Sequence, residues 1–190
     1  ISSKMDKTVA ELYNGVPGTK LSDEDIARVE NMAAGVKKYE VYYVDEPGTV
    51  DQIGETIKYF QDVIAKDKWL VVILDHTLLV RGQGAETERT TLVALQKVFI
   101  RARKIGRTSI IQLSQLNREI EDKDRIANPT TQFPTRRDVS SSDAVYQASD
   151  YVIVIHVPEH LGLKVYGPRM WPTQDRVFMH IIKNREGQLK

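Results

Sequence analysis

The chain of 190 residues has no cysteine, few aromatic residues, no excess of charge of one sign and no long apolar run. The lack of cysteine excludes disulfides, thiolate metal sites and thiol nucleophiles. No apolar stretch reaches the roughly 18 residues that a membrane-spanning helix needs, so we expect no membrane association. The formal net charge of +1 excludes a global field that attracts nucleic acid. Any contact with nucleic acid must therefore come from a local patch.

The remaining composition is that of an ordinary globular protein, with 41% hydrophobic and 28% charged residues. This length favours one domain over residues 1–190 with a sizeable core. The chain starts at Ile1 rather than at a methionine and ends just after a plausible strand. We therefore expect a fragment of a longer protein.

Helix and strand patterns alternate along the chain. Helical spacing and N-terminal caps predict helices at 5–14, at 23–36 after Ser22, at 50–64 after a capping box from Thr49 to Gln52, and at 86–105. Apolar runs predict strands at 40–44, 69–75, 108–113, 151–155 and 177–182. The runs without polar interruption are typical of strands that are buried on both faces. The pattern predicts an α/β fold with a mostly parallel sheet flanked by helices, and a ligand site at the carboxyl edge of the sheet.

Two of the predicted strands deliver polar residues to that edge. Asp75 ends the run from Leu70 to Leu74, and Gln115 follows the run at 108–113. A carboxylate in this position holds magnesium in nucleotide hydrolases, and an amide on the neighbouring strand can donate to a terminal phosphate. The structural alternatives are an aspartate that caps the strand end and a glutamine that is hydrogen-bonded locally.

The polar stretch at 119–142 is too long for a simple connector and is therefore functional or mobile. Arg136 and Arg137 precede three consecutive serines, Ser140, Ser141 and Ser142. Arginines, hydroxyls and free backbone N–H groups are the phosphate ligands used for single-stranded DNA. A solvated loop is the alternative, because acidic and basic residues are equal in number over 118–138.

Lys183 and Arg185 follow the last predicted strand at alternate positions, so they can project from one face of an extended segment. An arginine finger that acts across a subunit interface needs this arrangement. Ordinary surface charge is the alternative. The histidines show no metal-ligand spacing, and we interpret them as structural and Trp69 and Trp171 as packing residues.

Three motifs, in this order, resemble the C-terminal ATPase domain of DnaB-type replicative helicases, a RecA-like family of P-loop NTPases. The first is Ser-Gln-Leu-Asn-Arg at 114–118, which is similar to the family's phosphate-sensing motif. The second is the segment 134–150, which is similar in spacing to the stretch that leads from the DNA-contacting loop into the next strand. The third is Lys-Asn-Arg-Glu-Gly at 183–187, similar to the family's finger.

The resemblance implies a hexameric ring that hydrolyses ATP, translocates on single-stranded DNA and unwinds duplex at the replication fork. It implies Mg²⁺ at Asp75, with Gln115 on the same side of the nucleotide and with Lys183 and Arg185 reaching the neighbouring subunit's γ-phosphate. The loop at 136–143 would line the channel, and the stretch at 119–142 would be mobile unless DNA or a neighbouring subunit orders it. Further implied partners are a primase and a helicase loader, in the cytoplasm of a bacterium or a phage-infected host.

The chain departs from the family pattern at four places. The glycine-rich phosphate loop is absent from these residues and is expected upstream of Ile1. Lys4 stands where the family has a catalytic glutamate, Tyr13 where it has an arginine that packs on the nucleotide base, and 140–142 is Ser-Ser-Ser where relatives tend to have Arg-Glu-Ser. Two alternatives therefore remain: a hydrolysis-impaired RecA-like module that binds DNA or a partner, and another RecA-like ATPase such as a recombinase or a KaiC-like regulator.

Overall fold

The computed structural model describes residues 7–12, 20–46, 48–82, 84, 87–139 and 143–187. Five residues of the sequence-based interpretation lie outside the described residues: Lys4, Tyr13, Ser140, Ser141 and Ser142. The contacts divide the chain into two units, Ile1–Glu46 and Pro47–Lys190. No helix among the described residues is long and apolar enough to cross a membrane.

The first unit contains helix α1, Val9–Leu12, and helix α2, Asp23–Val36. Helix α2 begins with a capping box, because Asp25 donates its N–H to the Ser22 hydroxyl at 3.1 Å and its carboxylate accepts the Ser22 N–H at 3.2 Å. The predicted N-cap is thereby confirmed. The predicted strand at 40–44 is wrong, because these residues have no regular secondary structure and are exposed. Strand propensity describes fit to a half-buried pleated surface, and these side chains face solvent.

The second unit opens with two helices and a parallel strand pair. Helix α3, Val50–Tyr59, continues as a π-helical segment, Phe60–Ala65, and helix α4 spans Glu88–Ile105. Strands β1, Leu70–Leu74, and β2, Thr108–Gln112, pair in parallel with Leu74 opposite Gln112. The predicted capping box of Thr49 and Gln52 is confirmed. The buried core between helices and strands consists of Val50, Ile57, Leu92, Leu95, Phe99 and Ala102, with Leu70, Val72, Leu74 and Ile110 packed against it.

Strands β1 and β2 are covered on one face only within the described part of the chain. Val71 is 53% exposed, Ile73 is 63% exposed and Ile111 is 48% exposed. Side chains alternate between the two faces of a strand, and α3 and α4 pack against the face that carries Val72 and Leu74. The prediction of burial on both faces is therefore wrong for these residues. Trp69 is 65% exposed and is not a packing residue either.

The second half of this unit is antiparallel. It contains α5, Lys123–Ile126, and α6, Asp143–Ala148, then β3, Tyr151–His156, the short strands β4, Val165–Tyr166, and β5, Trp171–Pro172, and finally β6, Phe178–Asn184. Strand β3 pairs with β6 and β4 pairs with β5, both antiparallel. The alternation of helices and strands is as predicted, but the mostly parallel sheet is not found in the described residues. The reason is that the chain reverses through β4 and β5 and returns beside β3.

An aromatic cluster fills the space between these strands. Tyr166 is 1% exposed, its hydroxyl lies 3.0 Å from His180 Nε2, and its ring centroid lies 4.6 Å from that of Phe178. His156 is also buried, and burial together with the positive charges of His180 and Arg125 lowers its pKa to about 4. Both histidines therefore belong to the packed interior of the β3–β6 pair.

Candidate nucleotide and DNA site

The carboxyl edge of the β1–β2 pair carries the two residues that the sequence singles out. Asp75 directly follows β1, and Gln115 follows β2 by three residues. Because the strands are parallel and in register, both strand ends lie at the same edge. Both side chains are exposed and hence accessible to a ligand.

Hydrogen bonds fix the backbone at this edge. Leu113 N donates to Leu74 O at 2.9 Å, and the Thr77 hydroxyl donates to Leu113 O at 2.7 Å. Gln112 donates its amide to the Thr77 hydroxyl at 3.1 Å and accepts from Gln96 of α4 at 2.9 Å. This chain of partly buried amides and hydroxyls ties α4 to the turn after Asp75. The carboxylate thus projects from a positioned backbone, as a ligand-binding group requires.

The residues at this edge are compatible with magnesium bound together with a nucleotide. Mg²⁺ keeps several waters and takes one or two carboxylates plus substrate phosphates. Asp75 supplies one exposed carboxylate. The described residues contain no group of three or more acids and histidines that could form an all-protein metal site. One exposed carboxylate at a strand end fits a magnesium ion whose other ligands are waters and nucleotide phosphates.

The backbone after Gln115 is bonded to the segment that carries the candidate DNA-binding arginines. Leu116 forms an antiparallel bridge with Val139, and Asn117 N donates to Asp138 O at 2.8 Å. The Asn117 side chain also donates to Arg137 O. The candidate phosphate-sensing residue and the candidate DNA segment are therefore neighbours through direct main-chain contacts.

A buried ion pair organises the described part of the 119–142 stretch. The Asp138 side chain is 0% exposed and accepts from Arg125 at 3.1 Å and from the Thr135 N–H at 2.6 Å. Burial alone would raise the pKa of Asp138, but the hydrogen bonds from Arg125 and Thr135 outweigh burial and lower it. This part of the stretch has internal structure, and its mobility in the absence of DNA stays a prediction.

The two candidate DNA-binding arginines have different surroundings. Arg136 donates to the Asp143 carboxylate at 2.9 and 3.1 Å, and its guanidinium carbon lies 5.1 Å from the centre of the Tyr146 ring. The exposed Arg137 guanidinium forms no hydrogen bond or ion pair with any residue that the structure describes. Arg137 is therefore available to bind a phosphate without giving up a described contact. The Arg136 guanidinium, in contrast, already contacts the Asp143 carboxylate and the Tyr146 ring.

Lys183 and Arg185 both bind the C-terminal end of α6. Lys183 Nζ donates to Tyr146 O at 2.6 Å and to Gln147 O at 3.0 Å. Arg185 donates to Gln147 O at 3.0 Å and pairs with the Asp150 carboxylate at 2.8 Å. Cations at the carbonyl end of a helix are favourable because this end carries partial negative charge. The pKa of Lys183 is lowered by burial and by the positive charges of Arg185 and Arg136.

The structure thus gathers the predicted residues into two groups. Asp75 and Gln115 share the edge of the parallel pair. Arg136, Lys183 and Arg185 surround α6, and the described bonds of the last two go to α6 and Asp150.

Two contributors escaped the sequence analysis. Asp150 also pairs with Arg103 of α4, and Tyr146 contacts two of the cations. The spacing of the 134–150 segment was the available signal for Asp150, and no signal pointed to Tyr146.

The family model for the DnaB-like helicase C-terminal domain matches residues 4–190. A solved ATPase domain is similar with a TM-score of 0.71 and 17% identity, covering 90% of this chain and 56% of that one. A DnaB-like replicative helicase, solved in a study of its interactions with primase, is similar with a TM-score of 0.72 and 17% identity, covering 92% of this chain and 39% of that one. The chain thus spans about half the length of these structures or less. A search among curated proteins gives no significant match.

Proposed function

Since this chain belongs to the family of DnaB-like helicase C-terminal domains and has its α/β RecA-like fold, we propose that it is part of the motor of an ATP-driven DNA helicase. The motor hydrolyses ATP, translocates on single-stranded DNA and separates duplex at a replication fork. The observation that carries the proposal is the common edge of Asp75 and Gln115, on two parallel strands in register.

On this proposal, Asp75 holds Mg²⁺ and Gln115 contacts the γ-phosphate of ATP. A bound Mg²⁺ supplies charge neutralisation on the phosphates that react. Gln115 occupies the same edge, and the backbone after it is bonded to the 137–139 segment. A change in the γ-phosphate can therefore reach the DNA-facing segment through a few main-chain contacts. Tyr13 is proposed to stack on the nucleotide base.

The finger residues are proposed to act on the ATP of a neighbouring subunit in a homo-hexamer. Within the described residues, Lys183 and Arg185 bind α6 and Asp150 rather than the edge that carries Asp75. The Arg185 side chain is 45% exposed, so a neighbour's phosphate can compete with its present partners. Each complete site then takes residues from two chains.

The DNA strand is proposed to lie against the 136–142 segment. Arg137 offers an exposed guanidinium, and Arg136, Ser140, Ser141 and Ser142 complete the set of phosphate ligands. Contacts with phosphates do not depend on the base sequence, which suits an enzyme that moves along any DNA. A primase and a helicase loader are the further partners that we propose.

DNA-stimulated ATP hydrolysis by the full-length protein tests this function. We expect Asp75→Asn to lower kcat by on the order of 100-fold or more, because the charge of the metal site is worth several kcal/mol in the transition state. Asp67→Asn is the matched control, since Asp67 is an exposed acid before the opposite end of β1. Equal activity of wild type and Asp75→Asn would contradict the proposal. DNA binding without any turnover by the wild type would favour the hydrolysis-impaired module instead.

A further inference from the structure

Two cations with different proposed ligands share one aromatic ring. Arg136 lies 5.1 Å and Lys183 lies 5.0 Å from the centre of the Tyr146 ring. Arg136 belongs to the candidate DNA segment, and Lys183 belongs to the candidate finger, 47 residues further along the chain. A cation within about 6 Å of a ring centroid is attracted by the negative charge on the ring face. Tyr146 is therefore the side chain that both groups contact.

Tyr146 is also held in place by its own hydrogen bond. Its hydroxyl donates to Ile182 O at 3.1 Å, next to Lys183 in β6. This bond links α6 to β6. The hydroxyl of Tyr146 thus has a partner of its own that is neither of the two cations.

Each cation has a separate partner that does not depend on the ring. Arg136 keeps the carboxylate of Asp143, and Lys183 keeps the main-chain carbonyls of Tyr146 and Gln147. Removing the ring therefore leaves each cation a place to bind. Without the ring, Arg136 and Lys183 lose only the side chain that both of them contact.

The two cations also influence one another electrostatically. After burial and Arg185, the positive charge of Arg136 is a cause of the lowered pKa of Lys183. When a DNA phosphate binds Arg136, the positive charge of the guanidinium is neutralised. The attraction between the guanidinium and the Tyr146 ring then changes. The electrostatic environment of Lys183 then changes as well.

We infer that Tyr146 is a positioning residue that couples DNA contact at Arg136 to the placement of Lys183 in the neighbouring ATP site. The inference rests on the proposed function, since it needs DNA at Arg136 and a phosphate at Lys183. The Tyr146 ring is then the link between the DNA phosphate at Arg136 and the ATP phosphate at Lys183. It adds a route that is separate from the main-chain contacts between Gln115 and the 137–139 segment.

The test measures ATP hydrolysis by the full-length protein with and without single-stranded DNA. We expect Tyr146→Leu to lower the ratio of DNA-stimulated to basal kcat by about two- to fivefold, the value of one cation–π contact. The basal kcat and the KM for ATP stay within about twofold, because both cations keep their other partners. Tyr146→Phe keeps the ring and restores the ratio. Tyr59→Leu, which removes an exposed tyrosine of α3, is the matched control.

Two results would overturn the inference: an unchanged ratio in Tyr146→Leu, or an equal loss in Tyr146→Phe, which would assign the effect to the hydroxyl bond with Ile182. A double-mutant cycle on the thermal unfolding midpoint separates this inference from the proposed function. The coupling between Arg136→Ala and Lys183→Met is expected to differ between the protein with Tyr146 and Tyr146→Leu, in which only the direct repulsion between the two cations remains. If the wild type shows no DNA stimulation, the proposed function fails. The cycle still decides whether the ring joins the two cations, and the same coupling with Tyr146 as with Tyr146→Leu would show that it does not.

Discussion

At the scale of single residues, charge compensation inside the 119–139 segment decides local stability. The Asp138 carboxylate has no exposed surface and accepts hydrogen bonds from Arg125 and Thr135. A buried charge that loses its partner has neither water nor a counter-ion. The sequence shows five acids and five bases over 118–138 but gives no sign that these two residues form the buried pair, because the pairing depends on how the segment folds back.

We predict that Arg125→Met lowers the free energy of unfolding by about 3 to 5 kcal/mol at neutral pH, the usual cost of breaking a buried ion pair. Arg137→Met is the matched control and changes it by less than about 0.5 kcal/mol, because the Arg137 side chain is exposed. Denaturant unfolding of both variants measures the difference. Equal stability of the two variants would show that the Arg125–Asp138 pair does not hold this segment.

The Arg125–Asp138 pair also determines how stability changes as the pH becomes acidic. The pKa of Asp138 is lowered from its ordinary value of 3.8 by the bonds from Arg125 and Thr135, against the opposing effect of burial. The stabilisation is therefore complete above about pH 3.8 and is lost as the pH falls through the lower, folded-state pKa.

At the scale of elements, the apolar runs located four strands, but they wrongly predicted a strand at 40–44 and could not show which faces are covered. Strands β1, β2, β3 and β6 lie where the runs predict them. Val71 and Ile73 are as apolar as Val72 and Leu74, yet the first two are exposed and the last two face α3 and α4. The difference arises from which helices pack on the strand, and hydrophobicity alone does not contain this information.

The β3–β6 pair contains a histidine that should make stability depend on pH. His156 is 6% exposed, its Nε2 has no hydrogen-bond partner within the described part of the chain, and its pKa is lowered from 6.5 to about 4 by burial and by the charges of His180 and Arg125. Between these values the unfolded chain binds a proton that the folded chain does not. Stability therefore rises with pH through this window and is lost as the pH falls below 6.5.

We predict a loss of up to about 3 kcal/mol between pH 6.5 and pH 4 from His156. His156→Phe should remove most of this slope, and the remaining slope belongs to His180, whose pKa is also lowered by burial. The control His160→Phe, at an exposed position, should keep the full slope. Unfolding measured across this pH range checks both variants, and an unchanged slope in His156→Phe would contradict the assignment.

At the scale of the whole molecule, family membership was predictable because short motifs occur in a fixed order. The motifs at 114–118, 134–150 and 183–187 indicated the family that the model over residues 4–190 confirms. The single domain over 1–190 stays a prediction, and the contacts divide the chain at residues 46 and 47. The arrangement of Lys183 and Arg185 around α6 was not predictable, because it depends on the packing of β6 against a helix almost forty residues earlier.

The central claim is that each ATP site takes Asp75 from one chain and the finger from the next. Ring subunits in head-to-tail contact have one such interface per pair of neighbours. Full-length Asp75→Asn and Arg185→Met proteins are each expected to be inactive alone. In a mixed ring, an interface is intact where Asp75 belongs to an Arg185→Met subunit and Arg185 belongs to an Asp75→Asn subunit.

The decisive measurement is DNA-stimulated ATP hydrolysis by rings assembled from equal amounts of the two variants. If sites act independently, about a quarter of the interfaces are intact, and we predict about a quarter of the wild-type rate. If both residues act within one chain, every subunit in the mixture is defective. In that case the mixture would be as inactive as each variant alone, and this result would contradict the shared site.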